Sequence, residues 1–311
     1  MFPTILIPIL TGISFAAPPS TAPPITGAAF TPDGSAVVVG SQNGIELFAW
    51  PELERTGSLP TKLSHVHNLV FSPDATRLAA AGGRPAESGE VEFYVWPDGQ
   101  PLEHVTLDQE LIYEIAWRSD SKQLATAGGS SQVSLIDAVG TVERQFQGHS
   151  RGVLSVRYLG SDTFLASAGL DHSLRVWDLG ERRLQRTLNN HTRAINDLAV
   201  RPGETGRATI ASAGADRTVR IWWPVVGRLV RFARLASEPL SIAWTPDGSR
   251  ILAACRDGHL RVVDPQTVEI VTDTAVLDGW AHTVAVAPGG SLAFVGGAGG
   301  QLRCVRIEKD R

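Results

Sequence analysis

This sequence contains little charge, few lysines and almost no cysteine. Charged residues make up 19% of its 311 positions, and the formal net charge is −4 at neutral pH. The chain therefore has no basic field for the phosphate contacts that drive nucleic-acid affinity, and we expect no nucleic-acid partner. Hydrophobic residues make up 43% of the chain, which is enough to build a large core.

Only two cysteines are present, Cys255 and Cys304. Their spacing matches neither a metal knuckle nor a redox pair, so we interpret them as free, mostly buried thiols, with a disulfide as the alternative. No cofactor is predicted either. The glycine-rich run at 296–300 connects two predicted strands, whereas a dinucleotide-binding loop would be followed by a helix.

The most informative feature is a pattern that occurs twice. Each copy contains a histidine, a serine, an aspartate and a tryptophan in that order, namely His149, Ser167, Asp171 and Trp177, and then His191, Ser212, Asp216 and Trp222. In both copies the serine, the aspartate and the tryptophan are separated by four and then six residues. This shared spacing indicates one local structure built twice.

Weaker copies become visible when the residue that ends an apolar strand is used as a marker. Seven such anchors follow one another at intervals of 41 to 46 residues: Phe30, Phe71, Trp117, Tyr158, Val200, Trp244 and Val286. A turn rich in Pro, Asp, Ser or Gly follows each anchor, and then come a strand of small residues and a strand of alternating residues. The sequence therefore predicts seven repeats of one small sheet.

This pattern resembles the tryptophan-aspartate (WD) repeat family of β-propellers, in which each repeat forms a four-stranded blade. The resemblance predicts an all-β, single-domain, seven-bladed β-propeller of four-stranded antiparallel blades, spanning residues 25–311. No linker separates the repeats, and a closed ring of blades counts as one domain. In this family the four signature residues form a structural hydrogen-bond relay, so the resemblance implies that both tetrads are structural.

A serine, a histidine and an aspartate could instead form a hydrolase triad. A hydrolase usually has one such constellation, with an exposed nucleophile and an oxyanion site. Here the set occurs twice, each time with a tryptophan, so we predict no catalytic residue and no enzyme activity. Propeller enzymes gather several acids, histidines or arginines at the channel mouth, and no paired acids are evident there in this sequence.

Residues 1–24 form an apolar and then proline-rich N-terminal segment with two possible roles. The stretch from Phe2 to Phe15 is apolar, and Ser14-Phe15-Ala16 offers the small residues that a signal peptidase reads. This favours export, to the periplasm or outside the cell, over a cytoplasmic location. No Lys or Arg precedes the apolar stretch, however, and it is too short and broken for a membrane span.

The alternative role is ring closure. The chain stops soon after the third predicted strand of the seventh blade, residues 302–307, and leaves no residues for an outer strand there. In propellers of this family the N-terminus commonly completes the last blade, and residues 4–10 or 13–16 are β-branched or apolar enough to do so. Proline is tolerated on such an edge strand. The two roles predict opposite mature N-termini.

The resemblance implies a protein-protein interaction scaffold, which we expect to be a monomeric ring. Partners in this family often bind the face formed by the loops that enter the first strands and the turns between the second and third strands. Ten positions should reach that face: His65, His67, Leu111, Tyr113, Leu170, Glu238, Leu240, Arg256, Trp280 and His282. Large aromatic, histidine and arginine side chains are typical of interface hot spots.

Two other interpretations of these positions stay open. Imidazole is a common metal ligand, so His65, His67 and His282 could bind a metal or a small ligand, although blade one separates their two blades. The ten residues could also be ordinary surface positions. The identity of a partner cannot be deduced from the sequence, and no metal site is predicted.

Overall fold

The computed structural model describes residues 22–108, 110–204 and 206–307. Within these residues the chain forms seven antiparallel sheets arranged as a β-propeller, with a single 3₁₀ turn at Ala298–Gly300. The predicted fold class is therefore confirmed. Both roles predicted for the N-terminal segment concern residues that lie almost wholly outside the described part, so export and ring closure by residues 4–16 stay predictions.

The first four blades follow one another along the chain. Their strands are β1 (Gly27–Phe30), β2 (Ala36–Ser41), β3 (Gly44–Ala49) and β4 (Arg55–Leu59) in blade one; β5 (Val66–Phe71), β6 (Arg77–Arg84), β7 (Ser88–Val95) and β8 (Pro101–Asp108) in blade two; β9 (Ile112–Trp117), β10 (Gln123–Gly128), β11 (Gln132–Asp137) and β12 (Val142–Gln147) in blade three; and β13 (Val153–Leu159), β14 (Phe164–Gly169), β15 (Leu174–Asp178) and β16 (Arg183–Leu188) in blade four.

The remaining blades continue the same order from the channel outward. Their strands are β17 (Ile195–Val200), β18 (Ile210–Gly214), β19 (Thr218–Trp223) and β20 (Arg228–Arg234) in blade five; β21 (Pro239–Trp244), β22 (Ile251–Cys255), β23 (His259–Val263) and β24 (Ile270–Ala275) in blade six; and β25 (Ala281–Val286), β26 (Leu292–Gly297) and β27 (Leu302–Arg306) in blade seven. Blade seven thus has three strands among the described residues, whereas each of the other six has four.

Residue size and polarity follow the position of each strand in its blade. The second strands carry small apolar residues, and Leu78, Ala79, Ala80 and Ala81 of β6 are fully buried. They lie between two neighbouring blades, so both of their faces are covered and the usual polar alternation disappears. The outermost strands face solvent and are polar, as in β16, where four of six residues are exposed.

The hydrophobic core is divided into seven clusters, one at each contact between neighbouring blades in the described part of the chain. Trp177 belongs to the cluster between blades three and four, and Trp222 belongs to the one between blades four and five. Ile25, Val37, Val39 and Phe294 form the cluster that joins blade seven to blade one. Strand β25 also lies beside β1, so the inner strands close into a ring.

The two cysteines and the glycine-rich run at 296–300 agree with the sequence predictions. Both cysteines are free, Cys255 buried and Cys304 half-buried, so the free-thiol interpretation is confirmed. The glycine-rich run at 296–300 connects β26 to β27 through the 3₁₀ turn, with no long helix after it. Within the described ranges, no helix has the length and hydrophobicity needed to cross a bilayer.

The glycine at the end of β14 is required by a close approach of two backbones. A Cβ atom placed on Gly169 would lie 2.2 Å from the carbonyl oxygen of Gly152, in the loop that enters blade four. Neither backbone can move without disturbing the pairing of β13 with β14. A side chain at this position therefore conflicts with the fold.

We expect Gly169→Ala to lower the free energy of unfolding by about 1–3 kcal/mol, the usual cost of overpacking. The matched control is Gly57→Ala in β4, where a Cβ would meet nothing within 4 Å. That variant should be neutral or slightly stabilising, because alanine loses less backbone entropy than glycine. Urea unfolding of both variants measures the difference, and equal stabilities would contradict the close approach.

Candidate functional site

The tetrad of blade four forms one continuous hydrogen-bonded chain. The Trp177 indole Nε1–H donates to the Ser167 hydroxyl at 2.8 Å, and this hydroxyl lies 2.7 Å from His149 Nε2. His149 Nδ1 lies 2.9 Å from the Asp171 carboxylate. A carboxylate only accepts hydrogen bonds, so His149 Nδ1–H donates to Asp171, and the Ser167 hydroxyl links His149 Nε2 to the indole.

Blade five repeats this chain with the same three distances. Trp222 Nε1–H donates to Ser212 Oγ at 2.8 Å, Ser212 Oγ lies 2.7 Å from His191 Nε2, and His191 Nδ1 lies 2.9 Å from Asp216. The common geometry explains why both copies keep the same residue spacing.

Both tetrads are closed to solvent. Ser167 and Ser212 have no exposed surface, and each hydroxyl already has an indole and an imidazole as partners. A substrate has no access to either serine, so neither has the exposure that a hydrolytic nucleophile needs. Burial alone would raise the pKa of Asp171, but hydrogen bonds from His149 and Ser173 bring it well below its usual range.

A β-bulge shapes the channel mouth in six of the seven blades. It interrupts the pairing of the first strand with the second, four residues before each anchor, at His67, Tyr113, Leu154, Asn196, Leu240 and His282. A bulge leaves its extra residue outside the ladder and redirects the side chain. All six residues line one polar cavity of about 230 Å³, together with Thr26 of blade one.

The bulges explain part of the predicted interaction face. Of the ten predicted residues, the structure brings His67, Tyr113, Leu240 and His282 together at this cavity. Leu154 and Asn196 were not among the predicted residues, although they have the same four-residue offset from their anchors. Leu111 was predicted to reach this face, but the structure buries it, with only 8% of the residue exposed.

The other predicted residues surround the cavity on the entry loops and the turns between the second and third strands. His65 stacks on His67 with ring centroids 6.4 Å apart, and Tyr113 meets His67 edge-on at 5.6 Å. Leu170 lies on the turn between the second and third strands of blade four and is 39% exposed.

We call Glu238, Arg256, Trp280 and His282 the Trp280 cluster. The Arg256 guanidinium lies 4.1 Å from the centre of the Trp280 ring and forms an ion pair with Glu238 at 3.1 Å. Trp280 also contacts the His282 ring, with centroids 5.7 Å apart, and 43% of Trp280 remains exposed. This exposed tryptophan is therefore held in place by two neighbouring side chains.

The histidines His67 and His282 of this face are partly buried and carry no charge at neutral pH. Burial, with repulsion from His65, lowers the pKa of His67 to about 4, and burial also lowers the pKa of His282. Both imidazoles are therefore neutral at pH 7. In the described part of the chain, no three His, Cys, Asp or Glu side chains are placed to hold one metal ion.

Next to the bulge, the first strands of blades two to six each carry a polar residue that connects two blades. These five side chains accept a backbone N–H from the following blade, at 2.8 to 3.4 Å: Asn68, Glu114, Ser155, Asp197 and Ser241. The acceptors lie in a row around the channel, so the blades are joined there by polar contacts as well as by apolar clusters.

Glu114 and Asp197 show that one sequence expectation was wrong. They are paired acids on the channel wall, held by Arg157, which contacts Glu114 and lies 3.4 Å from Asp197. They are separated by 83 positions in the sequence, and the packing of blades three, four and five brings them together. Each carboxylate also accepts a backbone N–H of the next blade, which gives the pair a role in holding blades three to six together.

Comparison with known proteins agrees with this geometry. The family model "WD domain, G-beta repeat" matches residues 140–178, 182–222 and 236–264, and the first two matches contain the two complete tetrads. Residues 140–264 of this β-propeller consist of WD repeats. Each of the first two matches begins near the outer strand of one blade and ends with the third strand of the next blade.

The relatives of this WD propeller are similar over part of its length. It is 29% identical over 125 residues to "THO complex subunit 3" of Arabidopsis thaliana, and the alignment covers 39% of each chain. It is 28% identical over 147 residues to "WD repeat-containing protein AAC3" of Dictyostelium discoideum, covering 40% of this chain and 30% of that protein. It is 32% identical over 111 residues to "Coronin-7" of Mus musculus, covering 33% of this chain and 12% of that protein. The chain thus spans less than half the length of these relatives.

We expect Trp177→Ala to lower the free energy of unfolding by about 3–5 kcal/mol, because it opens a large cavity between blades three and four. Ser167→Ala should cost about 1–3 kcal/mol, since it leaves the buried indole N–H and His149 without their partner. Trp280→Ala is the matched control and should stay within about 0.5 kcal/mol of wild type. Chemical unfolding measures all three. Equal losses for both tryptophans would contradict the buried packing of Trp177, and an unchanged stability of Ser167→Ala would contradict the relay.

The Glu114 carboxyl predicts a pH dependence of stability. Burial and the nearby Asp197 charge raise the pKa of Glu114 to about 7, against the attraction of Arg157. Because this pKa is higher in the folded than in the unfolded chain, the stabilisation is complete below about pH 4.5 and is lost as the pH rises through 7.

Glu114→Gln removes this titration. We expect the stability of Glu114→Gln, relative to wild type, to increase steadily as the pH is raised from about 4.5 to about 7.5. Urea unfolding of both proteins across this range gives the difference. A difference that is constant with pH would show that Glu114 titrates normally in the folded protein.

Proposed function

We propose that this WD propeller is a non-enzymatic interaction scaffold, which binds a partner protein on the face formed by the entry loops and the turns between second and third strands. WD-repeat relatives support this class of function, and one of them is named as a subunit of a complex. The inaccessible tetrad serines and the structural use of both channel acids also favour binding over catalysis.

The Trp280 cluster is the observation on which this proposal depends. Interfaces obtain most of their binding energy from a few large anchors, and tryptophan and arginine are the most frequent of these. Arg256 covers one side of the indole at 4.1 Å, and Glu238 holds Arg256 through the ion pair. Because these side chains are already ordered, they would lose little conformational entropy when a partner binds.

The bulge residues extend this anchor toward the channel. Leu240 and His282 connect the Trp280 cluster to the cavity, and Tyr113 and His67 line its other side. The neutral imidazoles of His67 and His282 can donate and accept hydrogen bonds without the cost of desolvating a charge. The face therefore combines an exposed aromatic anchor with a polar cavity, so a partner needs an apolar contact for Trp280 and hydrogen-bonding groups for the cavity.

Trp280→Ala tests this proposal. With the full chain as bait in its native cells, quantitative mass spectrometry should show partners that are retained by wild type and lost by the variant. Loss of a hot-spot side chain costs at least about 2 kcal/mol, which weakens binding roughly thirtyfold. The matched control is Phe232→Ala, which removes another exposed aromatic ring from the outermost strand of blade five.

Phe232→Ala should retain the same partners as wild type. If the partners of wild type and Trp280→Ala are the same at equal abundance, the Trp280 cluster is not the docking site. Thermal unfolding of both variants confirms that each remains folded.

A further inference from the structure

A second surface feature lies on the opposite face of the ring, where the turns between first and second strands and between third and fourth strands meet. An apolar groove of about 300 Å³ separates blades four and five there. Its apolar walls are formed by Leu159, Phe164, Ala208, Trp223, Val225 and Val226. Val226 lies on the turn between β19 and β20 and is 52% exposed, although a polar residue would suit an isolated turn.

The groove is fixed in shape by both blades. Arg186 of blade four donates its Nε–H to the carbonyl oxygen of Val225 at 2.7 Å, which holds the blade-five turn against blade four. Phe164 and Val225 also pack on the buried cluster around Trp222. The walls therefore extend the core between the two blades, and the groove does not depend on mobile surface side chains.

Two arginines lie beside the Trp223 wall of the groove, and one of them, Arg207, lines the groove itself. The guanidinium groups of Arg207 and Arg228 lie 4.3 Å and 5.2 Å from the centre of the Trp223 ring, and both residues are exposed. Among the residues that the structure describes, no carboxylate lies within 4.0 Å of either guanidinium, and the groove lining contains no acidic residue. A guanidinium that stacks through its face keeps its N–H donors at the edge, where they can bind a carboxylate.

We propose that this groove is a second docking site, which binds an extended segment of a partner protein carrying one or two aliphatic side chains beside aspartate or glutamate. The aliphatic groups fill the space between Phe164, Trp223 and Val226, and the acidic groups pair with Arg207 and Arg228. This site is separate from the face around Trp280, and neither proposal depends on the other.

The test is selection of a random peptide library on the immobilised full chain. We expect enrichment of sequences with an aliphatic residue flanked by Asp or Glu. The best selected peptide, labelled with a fluorophore, should bind wild type at least about tenfold more tightly than the double variant Arg207→Glu/Arg228→Glu. Val226→Glu, which places a negative charge in the groove, should weaken binding of the acidic peptide to a similar extent.

Two variants act as controls. Arg151→Glu makes the same charge change on an exposed entry loop of blade four, on the other face, and should leave the peptide affinity unchanged. Trp280→Ala should also leave it unchanged, which separates this site from the proposed interaction face. Raising the salt concentration should lower the affinity for the peptide, because salt screens exposed carboxylate-arginine pairs.

Three outcomes would overturn the proposal. The first is a selection that enriches the same sequences on wild type and on the double arginine variant. The second is a selected peptide that loses affinity in Trp280→Ala instead. The third is a groove that binds decanoate, a small amphipathic carboxylate, while no peptide is enriched, which would assign the site to a small ligand and not to a protein segment.

Discussion

Burial of both faces of each blade against its neighbours is the constraint on which this structure depends. A single four-stranded sheet of this size would leave two apolar faces in water, whereas the ring covers both at every contact. The small residues of β6, from Leu78 to Ala81, illustrate the consequence, because larger side chains would hold the sheets apart. Closure is complete only when the cluster around Phe294 joins blade seven to blade one.

Polar contacts then add order to this apolar ring. In blades four and five the buried tetrads fix the entry loop against the sheet through His149 and His191. Around the channel, Glu114 and Asp197 connect their blades to the following ones and share Arg157. Such groups are costly to bury without partners, so once paired they favour a single arrangement of the blades.

The two candidate binding surfaces follow from the same ring geometry. Bulges near the start of the inner strands direct side chains such as His67 and His282 into the channel mouth, where the Trp280 cluster adds an exposed anchor. On the other face, turns of blades four and five leave a groove with Arg207 and Arg228 beside its Trp223 wall. Rigid sheets thus hold both surfaces, which lowers the entropic cost of binding.

The number of blades and the two tetrads could be predicted from the sequence alone, because strand patterning and turn residues act locally and recur with a fixed period. The sequence also located His67, Tyr113, Leu240 and His282, through their offset from the anchors. Contacts between blades could not be predicted in this way. Burial of Leu111, the pairing of Glu114 with Asp197 and the groove beside Trp223 all involve segments that are distant in the sequence, and these meet only when the blades pack against one another.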